Sequence, residues 1–94
     1  MDDRQLKRLL HSVGYLAFVE YFSVFTDSTL TTQQAVDLLP ADEPLGGRRV
    51  RVSCARRIIG DDLDRHALEI IAASKRVDPT TAAGARELLA ALSS

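Results

Sequence analysis

The apolar positions of this chain recur mainly with a helical period. The longest apolar run, residues 13–25, holds every Phe and Tyr in the protein: Tyr15, Phe18, Tyr21, Phe22 and Phe25. At about 100° per residue these rings do not form one stripe. Leu6, Leu9, Leu10, Val13, Ala17 and Val24 cover one side of the helix, while Tyr15, Phe18, Phe22 and Phe25 cover much of the other. A helix that is apolar nearly all round is a buried one. The pattern therefore predicts a central N-terminal helix from residue 2 or 3 to about residue 25, wrapped by the others. Its acidic start suits a helix N-terminus, and Arg4, Lys7 and Arg8 place a small basic patch on its first turns. Gly14 would sit mid-helix at a cost of about 1 kcal/mol relative to alanine, which points to close approach of another helix.

Downstream, Thr31 and Gln34 have the N-cap and N3 spacing of a capping box, and open a helix with Ala35, Val36, Leu38 and Leu39 as its apolar face. Pro40 ends it, and residues 42–47 read as a loop. Residues 49–54 alternate like a strand, but no second strand is present to pair with it. The spacing of Cys54, Ala55, Ile58 and Ile59 is helical. A helix over 48–59 is expected, with Gly60 as its C′ residue. Asp61 and Asp62 open the next helix, with Leu63, Ala67, Ile70, Ile71 and Ser74 inward, and Lys75 and Arg76 near its end. Asp78 at N-cap and Pro79 at N1 start the last, with Ala85, Leu88, Leu89 and Leu92 as its buried stripe. No linker divides the chain, so residues 1–94 are expected to form a single all-α domain, a compact bundle of about five helices around the buried N-terminal one.

Composition narrows the function classes. The chain is 94 residues long and 46% apolar, enough for one modest core. A lone cysteine, Cys54, allows no internal disulfide and fits a reduced, cytoplasmic setting. On the apolar arc of its helix, Cys54 reads as a small core residue. The acidic N-terminus lacks the basic and apolar regions of a secretory leader. The run 13–25 is too short to span a membrane and carries Glu20. No Gly-rich phosphate loop, nucleophile elbow or zinc-binding HExxH is present, so neither an enzyme nor a cofactor is expected. Asp62 and His66 are neighbours at i, i+4, but Asp64 points away from both; with His11 isolated too, no metal site is expected.

The charge distribution is more informative than the net charge of −1. Arg48, Arg49, Arg51, Arg56 and Arg57 fall within ten residues that contain no acid. On a helix, Arg49, Ser53, Arg56 and Arg57 share one arc, while Val50, Cys54, Ala55, Ile58 and Ile59 lie across the other. Guanidinium is planar, permanently charged and bidentate, which suits phosphate. The alternative is a solvated face paired with Asp61, Asp62 and Asp64. Glu20 and Arg51 are charges on apolar arcs. A buried charge needs a partner, so these two are expected to form a structural ion pair.

Two partial resemblances add to this reading. Leu30-Thr31-Thr32-Gln33-Gln34-Ala35-Val36-Asp37-Leu38-Leu39 resembles the first helix of an excisionase-type helix-turn-helix. In that family a short turn and a recognition helix follow, and the latter enters the major groove. Here the turn is replaced by a longer loop with Pro40, Pro44, Gly46 and Gly47, and residues 48–59 would be the recognition helix. Across 48–79, Ala67, Ile71, Ser74 and Pro79, with Ala55 and Ile58, are similar in spacing to a single tetratricopeptide-like helix pair. That likeness implies an αα-hairpin and a protein-binding surface. The chain is otherwise similar to small helical bacterial proteins. The leading expectation is a non-enzymatic regulatory or accessory protein that binds nucleic acid through Arg48, Arg49, Ser53, Arg56 and Arg57. The rival is an interaction module or homo-oligomerising adaptor that uses the last three helices.

Overall fold

The computed structural model describes residues 2–93 and is all-α, with no strand among them; Met1 and Ser94, the ends of the expected domain, lie outside the described residues. Among the described residues seven helices follow in order: α1 (Asp3–Val13), α2 (Tyr15–Glu20), α3 (Phe22–Thr26), α4 (Thr32–Asp37), α5 (Leu45–Gly60), α6 (Asp64–Ala73) and α7 (Pro79–Ser93). The count exceeds the expected five because the N-terminal helix is broken twice. At Gly14 the backbone turns to φ 90°, ψ 132°, a region in which a Cβ is strained. At Tyr21 it leaves helical geometry with φ −108°, ψ 21°. These breaks resolve the two-faced apolar pattern. A straight helix would have to be covered on both sides. The broken one re-aims its second half, so that Leu6, Leu10 and Val13 of α1 and Phe18, Phe22 and Phe25 of α2 and α3 all enter one core. Leu16 is left 55% exposed, and Tyr15 and Tyr21 are half-buried.

The hub of the fold is accordingly α5, not the N-terminal helix. It packs on α1, α3, α4 and α6, while α6 and α7 form the most extensive helix pair and α7 also covers α2. Val52, Ala55 and Ile58 are its fully buried contribution to the core. The whole occupies 30 × 25 × 24 Å. No helix is long and apolar enough to cross a membrane among the described residues.

Local signals account for most boundaries. The capping box opens α4 as expected: Gln34 N–H donates to Thr31 Oγ1 at 3.1 Å, and Thr31 N–H donates to Gln34 Oε1 at 2.9 Å. Asp78 accepts from Thr81 N–H at 2.8 Å and starts α7. Several expectations shift. Helix α4 ends at Asp37, leaving Leu38 exposed rather than on the apolar face. Helix α5 begins at Leu45, so Gly46 and Gly47 are helical rather than loop. At its other end Gly60 is the last helical residue, and the left-handed position is filled by Asp62 at φ 59°. Aspartate tolerates that conformation better than most residues, and Leu63 N–H then reaches the Ile58 carbonyl at 3.0 Å. Asp61 and Asp62 therefore belong to this turn, and α6 starts only at Asp64. In α7, Ala85 is buried and Leu88 and Leu89 pack on the core, but Leu92 is exposed.

Candidate nucleic-acid interface

The arginine cluster of α5 separates into structural and outward-facing members. Arg51 points inward to the break between α1 and α2. Its Nη1 donates to the carbonyl of Val13, a group left without a helical partner by the turn at Gly14. A Cβ at Gly14 would lie 2.7 Å from that same nitrogen and displace it, and the φ of 90° itself favours glycine there. Arg51 Nη2 pairs with Glu43 Oε1 at 3.1 Å, each side chain about 30% exposed. The expected pair of Glu20 with Arg51 is not formed. Glu20 is exposed, because the bend re-aims its half of the helix, and Glu43 in the loop before α5 takes its place.

Arg56 is also spent on the fold. Its Nη2 donates to the carbonyls of Leu30 at 2.8 Å and Asp27 at 3.2 Å, fastening the α3–α4 loop to α5. In that loop the Asp27 carboxylate is held below its ordinary range, first by the hydroxyl of Thr29 and then by its amide, with the Arg56 charge assisting. This removes Arg56 from the set of side chains available to a ligand. Arg48 is half-buried, and its Nε is buried without a hydrogen-bond partner among the described residues.

Arg49, Ser53 and Arg57 remain exposed. Spaced by four, they lie within an arc of about 80°, and Arg49 and Arg57 are about 12 Å apart along the axis. Neither arginine forms a salt bridge among the described residues, so the pairing with Asp61, Asp62 and Asp64 that the alternative reading called for is not formed there. The N-terminal end of α5 carries no side-chain cap and no acid in its first turn. Its free N–H groups and the helix dipole therefore add positive potential beside Arg48 and Arg49. A Cβ at Gly46, Gly47 or Gly60 would meet nothing within 4 Å. No packing inside the protein calls for these glycines.

Sequence reasoning found the helix and its charge but not the division of labour among its arginines. The partner carbonyls of Arg51 and Arg56 come from 38 and 26 residues away, and carbonyls carry no side-chain signature. Glu43 as the partner of Arg51 was likewise invisible, since it sits in a loop without periodicity. Comparison with family models, curated proteins and solved structures returns no match to this chain.

Proposed function

We propose that this protein is a non-enzymatic accessory or regulatory factor that binds nucleic acid along the outer face of α5. Arg49 and Arg57 contact backbone phosphates, Ser53 lies between them, and Arg48 flanks them at the open end of the helix. The observation that carries this reading is the bare, acid-free outer face of a helix whose Arg51 and Arg56 are engaged within the fold. Phosphate contacts fix position on a nucleic acid and contribute most of the affinity. Glycines at 46 and 47 would let a sugar-phosphate backbone approach the first turn without meeting a Cβ. The packing of α4 against α5 is compatible with a helix-turn-helix-like arrangement, with α5 as the reading helix. Arg56 acts as a positioning residue that holds the preceding loop.

The test is a salt titration of duplex DNA binding by the parent and by Arg49→Ala with Arg57→Ala. The double variant should melt within about 0.5 kcal/mol of the parent, since both side chains are exposed. Its dependence of log K on log salt should be shallower by roughly two units, one per lost phosphate contact. Absence of binding by the parent at low salt overturns the proposal. A second reading then stands, favoured by the exposed Leu38, Leu45 and Val50 at the end of α4 and along α5. These would seat a protein partner or a second copy of the chain, and association would show little salt dependence.

A further inference from the structure

A second cationic site lies away from α5, where α1, the start of α2, α6 and the loop before α7 meet. The cleft measures about 650 Å³ and is lined by Lys7, His11, Tyr15, Ile70, Arg76 and Val77, a size typical of small-molecule sites. No acid lines it. The adjoining depression shares Lys7 and His11 and adds Arg4 and Arg8. Two carboxylates on α1 and α6 lie against His66: Asp3 at 3.0 Å from its Nε2 and Glu69 at 3.7 Å from its Nδ1. Lys7 and Arg76 form no salt bridge among the described residues.

The cleft also has a flat wall and a fixed rim. The His11 ring stacks on Tyr15 with centroids 5.4 Å apart and planes 26° apart. Arg76 rides on a short loop tied at both ends. Its own N–H donates to Ser74 Oγ at 3.2 Å, and Asp78 accepts from both the amide and the hydroxyl of Thr81. We infer that this cleft binds a small phosphate ester that carries a planar ring, a ligand of the nucleotide class. A phosphate brings about −1.5 to −2 charges, which matches the two cations that line the cleft, Lys7 and Arg76, better than a single carboxylate does. The aromatic wall with Ile70 and Val77 offers a face for stacking and apolar contact. A bare anion would leave that wall unused. The site shares no residue with the outer face of α5, and binding here does not depend on nucleic-acid binding there.

The experiment is a titration of the isotopically labelled full chain with AMP, adenosine and inorganic phosphate, followed by backbone amide shifts. AMP should produce saturable shifts at Lys7, His11, Tyr15, Arg76 and Val77. Adenosine and inorganic phosphate should each bind at least about tenfold more weakly, since each lacks half of the recognised chemistry. Lys7→Glu and Arg76→Glu, both at exposed positions, should each weaken AMP about tenfold or more while keeping the melting temperature and DNA affinity of the parent. No saturable shift, shifts confined to α5, equal affinity for inorganic phosphate and AMP, or insensitivity to both charge reversals would overturn the inference. Absence of DNA binding by the parent, with saturable AMP shifts retained, would overturn only the α5 proposal.

Discussion

Replacing Arg51 by methionine should destabilise this protein far more than replacing its ionic partner. The guanidinium does two separable things. It donates to the Val13 carbonyl, exposed to no solvent at the break after α1, and it pairs with Glu43 at 3.1 Å. The first contact satisfies a buried backbone acceptor. Leaving such a group unpaired costs about 1–3 kcal/mol. The second contact is about 30% exposed on each side, and pairs of that kind contribute roughly 0–1 kcal/mol after screening. Arg51→Met keeps much of the stem's apolar packing and removes both contacts, for a loss of about 1–4 kcal/mol. Glu43→Gln removes only the charge of the partner and should cost under about 1 kcal/mol. In a chain of this size 1 kcal/mol shifts the melting temperature by about 4–8 °C, so thermal unfolding followed by circular dichroism resolves the two. The ratio matters more than either value. If Glu43→Gln melts as low as Arg51→Met, the ion pair and not the carbonyl contact holds the junction. If Arg51→Met melts within about 2 °C of the parent, the bend at Gly14 is stable without the arginine, and the argument fails.

Three further outcomes follow from the same structure. Phe22, buried and edge-on to Phe18 with ring centroids 5.6 Å apart, should cost about 3–5 kcal/mol on truncation to alanine; a melting temperature near that of the parent would place α3 outside the cooperative core. Gly46→Ala with Gly47→Ala should stabilise the chain by about 0.4–1 kcal/mol per site, because a Cβ meets open space at both, and should weaken duplex binding; stabilisation with unchanged binding would detach these glycines from function. Hydrogen bonds from the Thr81 amide and then its hydroxyl hold Asp78 below its ordinary value of 3.8. A lowered folded-state pKa means the stabilisation is complete above that value and is lost as pH falls through the lower one. The parent should therefore lose stability more steeply than Asp78→Asn in acid below about pH 4, as measured by denaturant midpoints across that range, and parallel curves would refute the coupling.

Most of the helical content was legible because it rests on local chemistry. The Thr31–Gln34 box, Asp78 before Pro79 and the arrest before Pro40 are signals that act within a few residues, and each marks a real boundary or lies within about two residues of one. The break at Gly14 was the informative failure. A glycine inside a long apolar pattern reads as a tolerated defect of about 1 kcal/mol. Here it is a joint that gives the second half of the pattern a new direction. The two-sided apolar wheel was the available clue, because one straight helix cannot bury two opposite faces cheaply in so small a protein. Likewise, Gly46-Gly47 resembles loop composition, yet helix propensity is a weak prior. Helix α5 runs through both glycines although each is exposed and a Cβ at either would meet open space. The identity of the hub was therefore missed together with the bend, since both depend on contacts between distant segments.

The division among the arginines has a physical consequence for the candidate interface. Both Arg51 and Arg56 terminate on carbonyls released where the chain leaves a helix: Val13 at the end of α1, and Asp27 and Leu30 after α3. Each anchors α5 to a different neighbouring segment, so together they fix the rotation of α5 about its own axis. The directions in which Arg49 and Arg57 leave the helix are thereby set, while neither forms a salt bridge among the described residues. Arg49 and Arg57 need no internal partner to be positioned; the helix positions them. Pre-organisation of this kind lowers the ordering cost of binding, and it predicts an energetic asymmetry within one ten-residue cluster. Neutralising an anchor lowers stability, and disturbs binding only through the helix it releases. Neutralising an outward arginine leaves stability nearly unchanged and removes affinity directly. A helix bearing merely solvated charges would show the first behaviour at 51 and 56 and no ligand-dependent effect at 49 and 57.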